Sequence, residues 1–302
     1  MLAELFAILW APFLMCLVLT GIHAYLGVHV LSREVVFVDI ALAQIAALGA
    51  TAAFLIGYEM DTWESYAFGL SATVLGALVL ALTRSQHRHV SQEAVIGVVY
   101  AVSSAAAVLL ADRAAHGAEQ VRTMLVGNLL AVRGPEVAKV ALLYGGIGLF
   151  HWLCRRPFFL ISTEPSTAYR EGWSIRLWDF LFYASFGVVV TSSVRIAGVL
   201  LVFSYLIVPA LAGTWRGRMS GPMGNGPVVV TIAEDGSFDG LLFVEPQYKE
   251  LRGAIMVLSP GNIRYDGNIG NGRVTVREER GQRVLKFVPD GGGGGAELTP
   301  AK

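Results

Sequence analysis

An aspartate inside an apolar stretch is the residue of this sequence with the clearest chemical potential. Asp39 lies in the run 35–57, where almost all other residues are aliphatic, aromatic or small. A charged side chain in a membrane span costs roughly 2.5–3.5 kcal/mol on insertion scales, so such residues usually face a cavity or a partner. A carboxylate there offers a hard oxygen ligand to a divalent cation. We therefore predict that Asp39 faces an ion path; the alternative is that it pairs with Arg33 or caps the backbone.

Gln44 and His29 are two further candidates for the same path. Gln44 is offset by about 100° from the position one helical turn after Asp39, so it either faces the path or bridges two helices. His29 lies near the end of the first apolar run, where it is either a metal ligand or a hydrogen-bonding residue at the membrane interface.

Sequence patterns for catalysis and nucleotide binding are missing. The chain has no GxxxxGK[ST] phosphate loop and therefore cannot itself be an ATPase. It also has no HExxH motif and no Ser/His/Asp constellation within an apolar run. Lys plus Arg and Asp plus Glu number 23 each, which removes any argument for a nucleic-acid partner. We predict that the chain is not an enzyme and binds no cofactor of its own.

Long apolar runs must position these side chains. The chain has 54% hydrophobic and 15% charged residues, against about 25% charged in soluble domains. Because roughly 20 helical residues cross a hydrocarbon core, we predict an all-α polytopic membrane bundle. The predicted spans are 5–27, 35–57, 66–83, 93–111, 137–154, 178–194 and 196–213, and the shorter run 121–132 is predicted to be re-entrant.

Loop charges predict the orientation of this bundle. Arg33, Arg84 and Arg155 lie in loops between predicted spans, whereas the loop 58–65 has acidic residues and no basic one. The positive-inside rule then places the arginine-bearing loops in the cytoplasm and the N-terminus outside. With seven spans the C-terminal part would be cytoplasmic, unless 121–132 crosses fully.

Four segments, in order, resemble the permeases of the bacterial zinc/manganese/iron ABC importer family. In the first, residues 26–44, an arginine-containing turn precedes Asp39. Residues 125–132 are similar to an LxGxxLxV element and 160–172 to an SxxPxxAxxxG segment. Residues 195–210 are similar to a GxLLVxxxLxxPA helix.

The resemblance implies a multi-pass protein of the bacterial plasma membrane that moves zinc, manganese or iron inward. Asp39 would contact the metal, although many relatives have a histidine where this chain has Ala43. The implied partners are a separate ABC ATPase subunit, an extracytoplasmic metal-binding protein and a second permease copy. Residues expected to contact the ATPase are Glu164, Pro165, Ala168, Arg170 and Gly172, and residues expected in a gating helix are Gly198 and Pro209.

The composition changes sharply after residue 213, where long apolar runs give way to short β-branched stretches separated by turns. We predict a transmembrane domain at 1–213, a small β-rich soluble domain at 214–290 and a disordered glycine-rich tail at 291–302. Two alternatives to transport stay open, because family members continue with further spans here. The chain is either a membrane-anchored binding or sensory protein whose β tail carries the activity, or a rearranged permease that does not transport.

Overall fold

The computed structural model describes residues 2–59, 62–84, 91–111, 126–259, 262–279 and 282–301, which form a helical bundle followed by a β-barrel. The helices are α1 (Leu2–Ser32), α2 (Val38–Leu55), α3 (Trp63–Leu82), α4 (Gln92–Ala111), α5 (Gly134–Leu153), α6 (Arg155–Thr163), α7 (Pro165–Arg170) and α8 (Ile175–Leu211), with a short 3-10 helix at Leu129–Ala131. Of the predicted re-entrant run 121–132, residues 121–125 lie outside the described residues.

Five of the described helices, α1 to α4 and α8, are long and apolar enough to cross a membrane. The helices α5 and α6 meet at a bend of 75° and make a sixth span if they are counted together. The predicted bundle of about seven spans is therefore wrong. The chain is nevertheless a multi-pass membrane protein, as its long apolar runs require.

Part of the error in the span count arises in α5, which counts as a span only together with α6, and the rest arises in α8. The last two predicted spans, 178–194 and 196–213, both belong to this helix, which is broken by Gly198 at φ 75° and ψ 161°. The part after the break, 199–211, has fewer than the roughly 20 residues needed to cross a bilayer. The apolar run looked longer in the sequence, but a strand already begins at Gly213.

The chain folds back at this break. The guanidinium of Arg33 lies 4.0 Å from the centroid of the Phe182 ring, and a side chain at Gly27 would meet the carbonyl of Leu206. An unbroken helix would separate Phe182 from Leu206 by roughly 36 Å, whereas Gly27 and Arg33 are about 9 Å apart along α1. The part of α8 after the break therefore runs back beside the part before it, and both lie against the C-terminal third of α1.

Small residues bring α2 close to its neighbours at the centre of the bundle. Ala43, Ala46 and Ala47 of α2 are buried. A side chain at Gly49 would meet the carbonyl of Phe68 in α3, so glycine allows these two backbones to approach closely. This packing holds the helix that carries Asp39 against its neighbours.

The residues after α8 form a closed antiparallel barrel of eight strands. They are β1 (Gly213–Ser220), β2 (Gly226–Ile232), β3 (Ser237–Val244), β4 (Gln247–Ser259), β5 (Asn262–Gly267), β6 (Gly270–Glu279), β7 (Gln282–Pro289) and β8 (Gly295–Pro300). Side chains fill its interior, and the ring of Phe287 lies 6.0 Å from that of Phe238 and 5.2 Å from that of Tyr265. The tail is thus a sizeable barrel and not the small β-rich domain that we predicted.

The C-terminal residues close this barrel. We predicted disorder for 291–302, yet β8 pairs with both β7 and β1. Ala296 and Leu298 are buried and alternate with exposed Glu297, the period of two that a half-buried strand requires. The glycine run before them hid this short pattern.

Side chains of the barrel bond to the end of α8. The indole Nε1 of Trp215 donates to the carbonyl of Leu211 at 2.9 Å, and Nη1 of Arg283 donates to the carbonyl of Ala210 at 3.2 Å. The last carbonyls of a helix have no partner within the helix, so these bonds satisfy them. The packing of Trp215 ties the barrel to the bundle.

Candidate functional site

Asp39 is buried in the first turn of α2. Asp39 is 2% exposed, and its Oδ1 has no hydrogen-bond partner among the described residues. Backbone N–H groups of Asp39 and Ile40 act on this carboxylate, as the capping alternative expects. A buried carboxylate oxygen without a partner is nevertheless costly, so Oδ1 is available to a cation. The alternative pairing with Arg33 is not what the structure has, because Arg33 binds another aspartate, described below.

A second carboxylate lies beside this turn. Oε1 of Glu93, in the first turn of α4, accepts a hydrogen bond from the backbone N–H of Phe37 at 3.0 Å. Its Oε2 is buried and has no hydrogen-bond partner in the described part of the chain. Nothing in the sequence marked Glu93, since it stands at the edge of an apolar run where acidic residues are common at helix starts.

The structure separates the two other candidate ligands from Asp39. Ala43, one turn after Asp39, is buried, and Gln44 beside it is partly exposed on a different side of α2. Nδ1 of His29 is 2.8 Å from Oγ of Ser162 in α6, and its ring packs 5.7 Å from that of Phe182. Among the described residues, no group of three or more His, Cys, Asp or Glu side chains could hold a metal ion.

A buried ionic cluster joins α3, α8 and the turn after α1. Nη1 of Arg33 lies 2.7 Å from Oδ1 of Asp179, and Nη1 of Arg84 lies 2.7 Å from Oδ2. Burial lowers the pKa of Arg33 while Asp179 opposes this effect. For Arg84, burial is again the largest influence and lowers the pKa, but the charge and hydrogen bond of Asp179, together with Tyr183 and Tyr169, raise it overall. In this cluster one carboxylate, that of Asp179, pairs with two guanidinium groups.

Ser162 connects this ionic cluster to α6. Its hydroxyl accepts a hydrogen bond from Nε of Arg33 at 2.8 Å, contacts Nδ1 of His29 and donates to the carbonyl of Phe158 at 2.7 Å. Arg33 and His29 are therefore held by the helix that leads directly into α7. From the sequence we predicted Arg33 as a cytoplasmic charge and as a possible partner of Asp39, and nothing there singled out Ser162 or Asp179.

A polar seam runs between α1, α5 and α8. The hydroxyl of Tyr25 is 3.3 Å from Nδ1 of His151, whose Nε2 is 2.8 Å from Oγ of Ser185. Further along, Nε2 of His23 is 3.2 Å from Oγ of Ser193. These side chains satisfy one another, which is the ordinary role of polar groups between membrane helices.

The predicted ATPase-contacting residues form a short surface helix. Ala168 of α7 is buried against Ile161 and Ile175, which holds the helix on the bundle. Glu164 and Arg170 are exposed at its two ends. Pro165 is its first residue and Gly172, at φ 78°, ends the turn after it. The helix thus has one buried anchor and a charged outer surface.

The predicted gating residues both lie in α8. Gly198 is the break in the helix, and Pro209 lies near its end. The carbonyl of Ile196, freed by the break, accepts a hydrogen bond from the N–H of Asn128 at 2.9 Å. A side chain at Gly127 would meet the backbone at Gly198, so the described end of the 121–132 run packs on the break.

Comparisons with known proteins agree with this architecture. The ABC 3 transport family matches residues 6–233. The manganese transport system membrane protein MntC of Halalkalibacterium halodurans is 26% identical over 189 residues, which are 61% of each chain. The chain thus spans about three fifths of the length of this curated relative.

A solved structure shares the fold of the helical part. PsaBC from Streptococcus pneumoniae, in complex with a Fab, has a TM-score of 0.54 at 18% identity, covering 69% of this chain and 75% of that one. The family match covers the helical bundle from within α1 onward, including Asp39, α7 and the break at Gly198, and extends into the first strands of the barrel. The chain belongs to the ABC 3 transport family.

Proposed function

We propose that this chain is the permease subunit of an ABC importer that moves a divalent metal ion across the bacterial plasma membrane. The observation that carries the proposal is the buried carboxylate of Asp39, whose Oδ1 lacks a partner within the described residues of a membrane bundle. Family membership and the similarity to a manganese transport protein support it. The metal is cargo, and the chain itself performs no chemical reaction.

The donor atoms favour a hard cation among the candidates zinc, manganese and iron. Ala43 stands where an imidazole would complete an i, i+4 pair with Asp39, and His29 lies against α6. Carboxylate oxygens suit manganese, whereas zinc sites usually contain imidazole or thiolate. We therefore expect manganese to be transported in preference to zinc.

In this proposal the ionic cluster keeps the ion path closed. Asp179 holds Arg33 and Arg84, and these three residues connect the turn after α1 with the ends of α3 and α8. While these ion pairs persist, the three elements stay together. Separation of these elements, driven through Ser162 and α6 by an ATPase bound at α7, would open the path.

The expected partners follow from the same proposal. A separate ATPase subunit would bind the charged outer surface of α7, and an extracytoplasmic metal-binding protein would deliver the ion. A second copy of the chain would pair with the first. The exposed side chains of Glu164 and Arg170 support a polar partner at α7.

Uptake of metals tests the proposal. The full chain and its ATPase are expressed in a bacterial strain that lacks its own manganese and zinc importers, and accumulation of radioactive Mn, Zn and Fe is measured. We expect Mn accumulation with wild type and its loss with Asp39→Ala, at unchanged membrane insertion. Glu64→Ala, which removes an exposed carboxylate from the first turn of α3, is the control. Equal uptake by the Asp39 variant and wild type would remove Asp39 from the path.

The barrel is less suited to be the active part of the chain. In the alternative function it would hold a ligand, but aromatic and aliphatic side chains fill its interior, among them Trp215, Phe238 and Phe287. Small barrels filled in this way are packed cores. We therefore place the activity in the bundle. Metal uptake by a chain that lacks residues 214–302 would favour transport by the bundle over an activity carried by the barrel.

A further inference from the structure

Glu93 lies where it can share a cation with Asp39. Its Oε1 accepts the N–H of Phe37, and Phe37 precedes Asp39 by two residues, which span at most roughly 7 Å of chain. The two carboxylates lie near enough for their charges to interact. Asp39 Oδ1 and Glu93 Oε2 are both buried, and neither has a hydrogen-bond partner within the described residues.

The dipoles of the two helices are too weak to stabilise two buried carboxylates side by side. Each acid is the second residue of its helix, α2 or α4, where the helix dipole stabilises a negative charge by about 0.3–1 kcal/mol. Burying an ion costs several kcal/mol, and two like charges side by side add to that cost. A cation between the free oxygens would neutralise both acids at once.

We infer that Glu93 is the second carboxylate ligand of the divalent cation that Asp39 contacts. The inference rests on the proposed function and adds to its ligand set a residue on a different helix. A site with two carboxylates, and with no imidazole grouped with them among the described residues, selects cations that prefer oxygen ligands, of which Mn²⁺ is the probe used below. Because α2 and α4 each supply one ligand, movement between these helices would release the ion.

A purely structural role for Glu93 gives a different expectation. In that role its carboxylate only accepts the N–H of Phe37 and so fixes the start of α2. Glu93→Gln keeps an oxygen acceptor for that N–H and removes only the charge. A structural role therefore predicts unchanged Mn²⁺ affinity in Glu93→Gln, whereas a ligand role predicts a large loss.

The experiment measures Mn²⁺ binding to the purified full chain in lipid nanodiscs by the loss of the free Mn²⁺ resonance in electron paramagnetic spectra. The variants are Glu93→Gln, Asp39→Asn and their combination. Glu64→Gln is the matched control, because Glu64 is also the second residue of a helix, α3, but is exposed. We expect each single variant to bind about 10-fold or more weakly, since even indirect changes around metal ligands have effects of that size.

The double variant tests whether the acids share one ion. Residues that act on one site are not additive, so the combination should be little worse than either single variant. The control should bind as wild type does. Wild-type affinity in Glu93→Gln, absence of Mn²⁺ binding by wild type, or fully additive losses would each overturn the inference.

Two further measurements keep the outcome clear. If Glu93→Gln does not yield folded protein, Glu93→Asp retains the charge on a shorter side chain and should bind Mn²⁺ more weakly than wild type at equal thermal stability; wild-type affinity there would also overturn the inference. Uptake separates the two proposals. If the chain binds Mn²⁺ through Glu93 but does not take it up, the transport proposal is contradicted and the ligand role of Glu93 is not. If the chain takes up Mn²⁺ and Glu93→Gln binds it as wild type does, the ligand role is contradicted and the transport proposal is not.

Discussion

Two buried aspartates in this bundle have opposite surroundings. Asp179 is in contact with the guanidinium groups of Arg33 and Arg84, while Asp39 keeps an oxygen without a partner in the described chain. A paired buried carboxylate serves to hold elements together, and an unpaired one is available to a mobile cation. The difference supports a structural role for Asp179 and the binding role that we propose for Asp39.

Removal of the charge on Asp179 should destabilise the bundle. Asp179→Asn leaves two arginines without their counter-ion, and breaking a buried ion pair in this way costs about 3–5 kcal/mol. Thermal unfolding of the purified chain in detergent measures the effect, and we expect a clearly lower melting temperature.

Asp239→Asn is the matched control for that variant. Asp239 also pairs with an arginine, Arg252, at 3.6 Å, but both side chains are exposed. Exposed pairs contribute about 0–1 kcal/mol, so the melting temperature should stay nearly unchanged. Equal shifts in the two variants would show that the buried cluster does not hold the bundle together.

The sequence allows the burial of Asp39 to be predicted but not the partners of the other charges. One acidic residue in a long apolar run is visible by itself. The contact of Asp179 with Arg33 and Arg84 joins residues that are 146 and 95 positions apart, and only the packing of three elements brings them together. For the same reason Glu93 looked like an ordinary residue of a helix start.

At the level of elements, the break at Gly198 determines how α8 is arranged. Its φ of 75° lies in the left-handed region, where a side chain adds a strain of order 1–3 kcal/mol. We expect Gly198→Ala to lower the melting temperature and to reduce metal uptake, because the fold-back against α1 depends on this turn.

Gly21→Ala tests whether the effect is specific. Gly21 lies inside α1, and a side chain built there meets nothing within 4 Å. Alanine is the better helix former by about 1 kcal/mol, so this variant should be neutral or slightly stabilised. A Gly198→Ala protein as stable and active as Gly21→Ala would contradict the importance of the break.

The surface helix α7 leads to a prediction about a partner. Replacing Glu164 and Arg170 together by alanine removes both exposed charges and leaves the anchor Ala168 in place. We expect the ATPase subunit to be lost on co-purification while the chain remains folded. Glu64→Ala should retain the ATPase, and normal co-purification of the double variant would refute docking at α7.

Helix and strand types could be predicted from periodicity, but two boundaries could not. The run 196–213 has the composition of a span, and only the backbone at Gly198 shows that its helix is a short returning segment. In the barrel, β8 has few apolar residues, so its strand character depends on pairing with β1 and β7. Non-local pairing of this kind has no signal in a short window of sequence.

For the whole molecule, the bonds from Trp215 and Arg283 to the end of α8 should make bundle and barrel unfold together. Each neutral hydrogen bond contributes about 1 kcal/mol, and a bond from a charged donor somewhat more. We expect the combined variant Trp215→Phe and Arg283→Met to show two unfolding transitions in calorimetry where wild type shows one. Thr299→Val, which removes a hydroxyl bond within the barrel, is the control. A single transition in the combined variant would mean that other contacts couple the two parts.

The return of α8 along α1 also decides the compartment of the barrel. Since Phe182 and Leu206 both lie against the last turns of α1, the chain leaves the bilayer on the face where α8 began, next to α7. A nucleotide-hydrolysing subunit that approaches this face must share it with an eight-stranded neighbour fixed to the exit of the bundle. Assembly is then a question of steric accommodation, and the barrel limits which soluble proteins have room to dock.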